Sequence, residues 1–309
     1  MYDNNEKIAV VLPVYNGIHF LEKSVKSVLE QSYSDFEFII ADDNSEDGSY
    51  EYLQKITDPR IKLFQNKPNK GLFANLNLLL KQTSAPLIHL WSQDDIMKPI
   101  CLERTLFFHE KYTDLAFSYS MYDIINADDE VINTNHFAKD RTPEIINSEL
   151  LIRISAFYSA IAGNIANVTL NRKYVEDVGF FDEKYKVSGD YDMWLRMGSL
   201  ASVGFLKEPL IFLRNHTQQL SRKSTSSLLF LCEDSEIRDR AIKMINDTEI
   251  QKAVHKKIKE EINVAFFHDV LKHIYYRNFS IAKKMLIELN RRDKIIPLIY
   301  RWLKKRISS

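Results

Sequence analysis

Residues 7–14, KIAVVLPV, are a compact run of β-branched and other apolar residues close to the start of the chain. A run of this length and composition predicts a strand that is buried on both faces, as in the middle of a parallel sheet. Residues 19–32, HFLEKSVKSVLEQS, follow at once and place their apolar residues at helical spacing. The chain therefore opens with a strand and an amphipathic helix, which together form the first half of a βαβ unit.

The alternation of strand and helix continues as far as residue 91. Strands are predicted at 36–45, 60–66 and 85–91, with helices at 46–56 and 72–84 between them. This order predicts an α/β fold with a largely parallel sheet. In such sheets ligands bind beyond the carboxyl ends of the strands, so the residues that follow each strand are the candidates for a site.

The alternation weakens after about residue 100, although helices and strands are still predicted. One of the predicted strands, residues 203–216 (VGFLKEPLIFLRNH), is expected to be broken by Pro209. From residue 228 onward the pattern is helical and rich in lysine. We therefore predict a domain at 1–226 and a C-terminal helical extension at 227–309.

Composition excludes several classes of protein. The chain has 309 residues, of which 45% are hydrophobic, and its 42 basic residues balance 42 acidic ones. A net charge of zero argues against a general nucleic-acid binder. Cys101 and Cys232 are far apart and indicate no disulfide framework. We expect no signal peptide and no transmembrane helix, and therefore a cytoplasmic protein.

Adjacent carboxylates follow two of the predicted strands. Asp42 and Asp43, in ADDNSEDGS at 41–49, could accept hydrogen bonds from a ribose or a base, or simply form a capped turn. Asp94 and Asp95, in SQDD at 92–95, suit a hard divalent cation such as Mg²⁺ or Mn²⁺. The alternative for this second pair is a helix N-cap at Asp95 beside a solvated Asp94.

Two more polar groups lie later in the chain. Asp190, in SGDYDMWLRM at 188–197, could act as a general base, or it could cap a helix in which Asp192 pairs with Arg196. Arg214, His216, Arg222 and Lys223 gather near a serine-rich loop at 221–227. There His216 could bind a metal or a phosphate, or be an ordinary polar surface residue.

Seven short motifs occur in one order over about two-thirds of the chain: VVLPVYNG, DDNSEDGS, NKGLFANLN, SQDDIMKP, VGFFDE, GDYDMWLR and RNH. Together they closely resemble the family-2 inverting glycosyltransferases with the GT-A fold. The resemblance implies a Rossmann-like nucleotide-binding half, with a mostly parallel or mixed sheet flanked by helices.

The resemblance also implies roles for the residues of the nucleotide pocket. Pro13, Tyr15, Asp42 and Asp43 should line the base and ribose pocket, with Asp43 the stronger candidate for the base edge. Lys70 and Gly71 should lie close to the nucleotide, with Asn75 supporting that wall, and Gln93 and Asp94 should contact it as well.

Two acids of the family pattern are replaced in this chain. Ser92 stands where the first acid of the metal motif is usual, while Asp94 keeps the place of the metal ligand. Gly189 replaces the glutamate of the base motif, while Asp190 keeps the place of the base. The resemblance further implies that His216 completes the metal or diphosphate site. Arg214 and Arg222 are expected near the diphosphate, and the loop at 221–227, which contains Arg222, is expected to close over it.

These roles together predict a metal-dependent inverting glycosyltransferase that uses Mg²⁺ or Mn²⁺. The expected donor is a nucleotide-diphosphate sugar, most simply a UDP-sugar, and the expected acceptor is a saccharide or lipid-linked saccharide of a bacterial surface polysaccharide or lipopolysaccharide. Two alternatives stay open at this point, a nucleotide-sugar-binding protein without turnover and a nucleotidyltransferase. The second would want a Gly-rich basic loop where residues 13–20 read PVYNGIHF.

The last fifteen residues, IIPLIYRWLKKRISS at 295–309, mix apolar, aromatic and basic side chains. They predict either a helix at a membrane surface, making a peripheral contact at the inner face, or a packed helix with a solvated basic face.

Overall fold

The computed structural model describes residues 7–134, 142–216 and 226–307. The chain divides into two compact units. The first comprises Met1–Leu151 and Ala162–His216, and the second comprises Ile152–Ile161 and Thr217–Ser309. The second unit thus takes in a segment from the middle of the chain, which the sequence pattern did not indicate.

Ten strands form one mixed sheet within the described residues of the first unit. They are Ile8–Val14 (β1), Glu37–Asp42 (β2), Ile61–Gln65 (β3), Leu87–Leu90 (β4), Ile96–Met97 (β5), Leu115–Ile125 (β6), Val131–Thr134 (β7), Ile145–Ile146 (β8), Val168–Asn171 (β9) and Ser202–Arg214 (β10). The order along the sheet is β3-β2-β1-β4-β9-β6-β10-β5, with β7 beside β6 and β8 beside β10.

The four strands at one end of the sheet, β3, β2, β1 and β4, run parallel, as the alternation predicted. The antiparallel β9 then separates β4 from the parallel pair of β6 and β10. The parallel strands point their carboxyl ends to a common side, and this arrangement brings the loops after β1, β2, β3 and β4 together.

Seven helices among the described residues belong wholly or partly to the first unit. They are Ile18–Leu29 (α1), Ser49–Leu53 (α2), Leu72–Lys81 (α3), Cys101–Lys111 (α4), Ser148–Tyr158 (α5), Arg172–Val178 (α6) and Gly189–Leu200 (α7). The helix α6 ends at Gly179, which has a left-handed backbone with φ of 83°.

The main core of the first unit lies between β1 and α1. Every residue of β1 is buried, and alternate positions from Ile8 to Val14 pack on Leu21, Val25 and Val28 of α1. The KIAVVLPV run is therefore a strand covered on both faces, because successive side chains of a strand point to opposite sides of the sheet.

The predicted break at Pro209 is wrong. The strand β10 runs without interruption from Ser202 to Arg214 and pairs with β6 along its length. Its register shifts on both sides of Pro209, where the ladder is irregular. Proline lacks an N–H group, so a strand accommodates it where the ladder already lacks a regular hydrogen bond.

The second unit is helical. Its remaining helices are Ser226–Lys243 (α8), Thr248–Lys257 (α9), Asn263–Tyr275 (α10), Phe279–Arg292 (α11) and Ile295–Ile307 (α12), with a π-helical turn at Ile258–Ile262. Leu231, Val270, Met285, Leu289 and Leu298 are at the centre of its core. Among the described residues, none of the helices has the length and apolar character needed to cross a membrane.

Candidate active site

The loops that follow β1, β2, β3 and β4 form one continuous surface, here called the carboxyl edge (residues 15–17, 43–49, 66–71 and 91–95). The first two loops are joined by hydrogen bonds between main-chain N–H groups and side-chain oxygens. These bonds run from Asn16 N–H to Ser45 Oγ at 2.9 Å, Glu46 N–H to Asn16 Oδ1 at 2.9 Å, Gly17 N–H to Ser49 Oγ at 3.0 Å and Ile18 N–H to Asp47 Oδ2 at 3.0 Å. The polar residues of DDNSEDGS therefore hold the turn into α1.

Asp42 and Asp43 differ in how their oxygens are used, although both side chains are buried. Asp42 Oδ1 accepts the N–H of Ser45 at 3.0 Å. Asp42 Oδ2 is buried and accepts no hydrogen bond from any described residue. Because a buried carboxylate oxygen without a donor is unfavourable, Asp42 Oδ2 is available to a ligand hydroxyl or N–H group.

Asp43 organises the third loop of the carboxyl edge. Its Oδ1 accepts Asn66 Nδ2 and the N–H of Lys70, both at 2.9 Å, and its Oδ2 accepts the N–H of Gly71 at 2.8 Å. Gly71 has a φ of 89°, which favours glycine. Asn75 accepts from Asn66 at 3.0 Å and donates to the Ala41 carbonyl at 2.8 Å, so it holds Asn66 beside β2, while its role beside a nucleotide stays a prediction.

Gln93 joins the fourth loop to the first. Its Oε1 accepts the N–H of Tyr15 at 2.8 Å and its Nε2 donates to the Tyr15 carbonyl at 3.1 Å. The Gln93 amide also lies where a side chain on Gly17 would stand, because a Cβ there would be 2.4 Å from Gln93 Cδ. The Tyr15 ring is about half exposed and Pro13 is buried in β1. Gln93 thus fixes the backbone on which the Tyr15 ring stands.

Polar residues on the buried side of α1 hold the segment around the adjacent carboxylates, and the sequence reading missed them. Ser24 Oγ accepts Trp91 Nε1 at 2.9 Å and donates to the Ser92 carbonyl at 2.8 Å. Ser27 Oγ accepts the N–H of Met97 at 3.0 Å. Serines three residues apart on an otherwise apolar helix face were the available sequence signal.

Arg214 contacts Asp94 and Asp95 in different ways. Asp95 Oδ1 accepts the main-chain N–H of Arg214 at 2.8 Å, and Arg214 Nε donates to the Asp94 carbonyl at 2.8 Å. Burial raises the pKa of Asp95 to about 7, against the hydrogen bond from Arg214. Burial also raises the pKa of Asp94, while His216 and Arg214 act in the opposite direction. The two carboxyl groups are therefore tolerated side by side because one is internal and Arg214 is close to both.

The Arg214 side chain has no exposed surface. Nη1 donates to the Asn126 carbonyl at 2.8 Å, and Nη2 forms an ion pair with Asp129. Asp129 also pairs with Lys23 of α1, and the guanidinium lies 4.4 Å from the centre of the Phe20 ring. Arg214 therefore joins β10, the turn at 126–129 and the SQDD loop. Its direct contact with a diphosphate stays a prediction.

His216 lies beside Asp94 at the rim of the site. The distance from His216 Nε2 to Asp94 Oδ2 is 3.5 Å, and their side chains are 10% and 24% exposed. The imidazole ring packs on Phe20, with ring centres 5.0 Å apart. Two distant motifs of the sequence, SQDD and RNH, thus place a carboxylate and an imidazole side by side.

A divalent cation fits this pair only as part of a larger ligand set. Among residues 7–134, 142–216 and 226–307, no group of three or more His, Cys, Asp or Glu side chains is arranged to hold a metal ion. Mg²⁺ in nucleotide sites is bound by one or two carboxylates and completed by substrate phosphates and water. One carboxylate and one imidazole at the rim fit a cation that arrives with a diphosphate.

Asp190 is the second residue of α7, and Gly189 before it is packed against α3. A Cβ on Gly189 would lie 2.7 Å from Cε2 and Cζ of Phe73. Phe73 comes two residues after Gly71, whose N–H binds Asp43. The Asp190 carboxyl is half-buried and accepts the N–H of Tyr191 at 2.8 Å. The expected ion pair of Asp192 with Arg196 is present at 2.7 Å. Thus the first turn of α7 is fixed against α3.

Arg222 and the segment 217–225 lie outside the described residues, so the predicted closing loop has no structural account here. Sequence reasoning also missed Phe20, Phe73 and Asp129. Each acts through a neighbour that is distant in the chain, so its own surroundings in the sequence do not indicate its role.

Comparison with known proteins identifies relatives of this chain. A family model described as Glycosyl transferase family 2 matches residues 9–175, more than half of the chain. An uncharacterized glycosyltransferase of Rickettsia conorii is 28% identical over 218 residues, which cover 70% of this chain and 35% of that protein. This chain therefore spans about a third of the length of the Rickettsia protein. A protein of Escherichia coli, the UDP-Glc:alpha-D-GlcNAc-diphosphoundecaprenol beta-1,3-glucosyltransferase WfgD, is 28% identical over 188 residues, covering 61% of this chain and 68% of WfgD.

Solved structures give the same fold at low identity. Staphylococcus aureus TarS in complex with UDP has a TM-score of 0.62 and 17% identity, covering 84% of this chain and 72% of that one. The mannosyltransferase PcManGT of Pyrobaculum calidifontis, in complex with GDP-Man and Mn²⁺, has a TM-score of 0.60 and 12% identity, covering 96% of this chain and 87% of that one.

Proposed function

Because this chain belongs to glycosyltransferase family 2 and has the GT-A fold, we propose that it transfers a sugar from a nucleotide-diphosphate sugar to an acceptor hydroxyl, with inversion at the anomeric carbon. The observation that carries the proposal is the meeting of Asp94 and His216 at the carboxyl edge, with their atoms 3.5 Å apart. Buried Arg214 holds the Asp94 main chain in place through its carbonyl.

The nucleoside part of the donor is proposed to bind beside β1 and β2. Asp42 Oδ2 lacks a donor among the described residues and can accept a ribose or base hydrogen. Asp43 holds Lys70 and Gly71 through their main-chain N–H groups, and the Lys70 side chain is exposed beside them. A UDP-sugar donor is supported by the TarS complex with UDP and by the name of WfgD.

Asp94 and His216 are proposed to hold Mg²⁺ or Mn²⁺ together with the donor diphosphate, as the Mn²⁺ in PcManGT supports. A cation bound there would neutralise charge on the departing diphosphate. The protein supplies the rest of the site before the donor arrives, since Arg214 fixes the main chain at Asp94 and Phe20 supports the imidazole ring.

Asp190 is proposed to remove the proton from the acceptor hydroxyl as its oxygen attacks the anomeric carbon. Proton removal makes the oxygen a better nucleophile, and attack from the face opposite the diphosphate gives inversion. Because this is a single displacement, no protein nucleophile is required. The packing of Gly189 on Phe73 fixes the start of α7 and so limits where the Asp190 carboxyl can lie.

The acceptor is proposed to be a saccharide on a lipid carrier, in the assembly of a bacterial surface polysaccharide. The support is the E. coli relative, whose name gives a diphosphoundecaprenol-linked sugar as its acceptor. A cytoplasmic location with peripheral contact at the inner face of the membrane stays a prediction.

The base assignment is tested by Asp190→Asn. We expect turnover to fall by about 10²–10⁴-fold, the usual contribution of a general base, with little change in donor affinity. Asp177→Asn, an exposed carboxylate of the neighbouring α6, is the matched control and should keep normal turnover. Near-normal turnover in Asp190→Asn would remove Asp190 from the role of base.

Donor and metal are tested by a thermal-shift screen of sugar nucleotides with and without Mn²⁺, since a ligand that binds the folded state raises the melting temperature. Asp94→Ala should abolish the Mn²⁺-dependent part of the shift. A shift without release of nucleoside diphosphate would support the alternative of a binding protein without turnover, which the replacements at Ser92 and Gly189 favour. Release of pyrophosphate from a nucleoside triphosphate supplied with a sugar 1-phosphate would instead indicate a nucleotidyltransferase.

A further inference from the structure

The last helix has apolar residues on two opposite faces. Its inner face contributes Leu298, which is fully buried, and Trp302, which packs against the core of the second unit. Its outer face carries Ile296, Tyr300, Leu303 and Ile307, whose side chains are 78%, 67%, 47% and 86% exposed. These four positions are spaced by three or four residues and lie on one side of a helix. The fold leaves this stripe, here called the outer face of α12, open to solvent.

Positive charge is concentrated on the same helix. Residues 294–307 contain Lys294, Arg301, Lys304, Lys305 and Arg306, and no acidic residue. The whole chain has a net charge of zero, so this excess is local. Arg301 pairs with Asp293, and the Arg306 guanidinium lies 4.8 Å from the centre of the Trp302 ring. The Lys304 and Lys305 side chains are exposed, with Lys304 at the edge of the apolar stripe and Lys305 on the other side of the helix.

We propose that the outer face of α12 docks on the surface of an anionic lipid bilayer. The apolar side chains would enter the boundary between headgroups and acyl chains, and the cationic side chains at the edges of the stripe, Lys304 and Arg306, would meet lipid phosphates. The helix would lie in the plane of the surface, since it has only 13 residues. This inference rests on the second unit alone and does not depend on the proposed function.

Charge and shape favour a bilayer over other occupants. A symmetric contact between two copies of α12 would bring two sets of cations together, which is unfavourable. A nucleic acid would satisfy the lysines, but its phosphate backbone offers no apolar layer for Ile296, Leu303 and Ile307. An anionic bilayer satisfies both the charges and the apolar stripe.

The test is co-sedimentation of the full chain with vesicles of phosphatidylcholine, with and without phosphatidylglycerol. We expect binding to the anionic vesicles that weakens at high salt. The variant Ile296→Gln/Tyr300→Gln/Leu303→Gln should lose at least about tenfold in its partition coefficient, because three apolar side chains no longer enter the bilayer. Its circular dichroism melting curve checks that the fold is kept.

Two further variants separate the contributions. Lys304→Gln should weaken binding to anionic vesicles by about fivefold, the effect of one charge near the surface, and should leave binding to neutral vesicles unchanged. Ile100→Gln/Phe107→Gln, which removes apolar side chains that are 43% and 60% exposed at α4, is the control and should bind as the wild type does.

Three results would overturn the proposal. The first is absence of wild-type binding to the anionic vesicles, and the second is equal binding by wild type and the triple apolar variant. The third is a wild-type dimer in sedimentation velocity that the triple variant converts to a monomer, without any binding to vesicles by either protein.

Discussion

The carboxyl edge and the outer face of α12 depart from the usual distribution of residues in opposite directions. The first buries charge, with Arg214 and Asp95 almost without exposed surface, and the second exposes apolar residues such as Ile307. At the edge the buried Asp43 and Asp95 accept hydrogen bonds from the same unit, whereas Asp42 Oδ2 accepts none from any described residue. Among the described residues, nothing covers the outer face to a comparable degree. A departure satisfied from inside stabilises the fold, whereas one left open indicates a partner.

The largest expected effect on this comparison is the loss of stability when Arg214 is replaced. Arg214→Met leaves Asp129 without its buried cation and the carbonyls of Asp94 and Asn126 without their donors, and we expect the free energy of unfolding to fall by about 3–5 kcal/mol. Urea denaturation measures it. Arg104→Met is the control, because Arg104 and its partner Glu208 are 48% and 37% exposed, and such pairs contribute about 0–1 kcal/mol. Equal losses in the two variants would contradict the structural role of Arg214.

Acid should destabilise the first unit through its buried histidines. Burial lowers the pKa of His89 and of His109 to about 4. Between pH 6.5 and 4 the unfolded histidine takes up a proton that the folded one does not, so stability falls as the pH is lowered. A shift from about 6.5 to about 4 corresponds to about 3 kcal/mol for one histidine.

The measurement is the difference between variants in the pH dependence of unfolding. His109→Gln removes one titrating group and should flatten the curve between pH 6.5 and 4, whereas His255→Gln, at an exposed position of α9, should leave it unchanged. An unaltered slope in His109→Gln would show that His109 is protonated in the folded state over this range.

A smaller effect is expected where α7 meets α3. Gly189→Ala places a methyl group 2.7 Å from the Phe73 ring, and overpacking of this kind costs about 1–3 kcal/mol. Phe73→Leu in the same chain should recover part of the loss, as a double-mutant cycle measures. Purely additive losses would mean that the ring moves aside without strain.

The smallest effect is expected on the outer face of α12. Tyr300→Gln should change the free energy of unfolding by less than about 0.5 kcal/mol, because the ring is mostly exposed. A loss above about 1 kcal/mol in urea denaturation would show that this face is covered by the protein itself, and the contrast with the carboxyl edge would disappear.

The sequence predicted the parallel part of the sheet because its strands are apolar runs bounded by turn residues, and these runs alternate with segments of clear helical spacing. The short strands β5, β7 and β8 were not predicted, since two to four residues are too few to show such a run. Pro209 was misread because a bulge that accommodates proline depends on the neighbouring strand β6 and not on local sequence.

The sequence predicted which residues come together at the carboxyl edge, but not which contacts each of them makes. Asp94 and His216 were predicted as a metal pair, and the structure brings them together, although metal binding stays a prediction. The internal position of Asp95 depends on Arg214, which lies 119 residues away. The sequence shows that Gly189 stands where the family pattern has an acid. It does not show that the Phe73 ring occupies the space where a side chain on Gly189 would lie.

The contact of Arg214 with the Asp94 carbonyl joins residues 120 positions apart, and this has a consequence for synthesis of the chain. Strands β1, β2 and β4 leave the ribosome well before β10 does. Asp94 and Asp95 are therefore synthesised well before Arg214, the cation that lies close to both. A nascent chain that stops before residue 214 would carry all four loops of the carboxyl edge on an unfinished sheet. The first unit therefore becomes fully stable only when its last strand has been made.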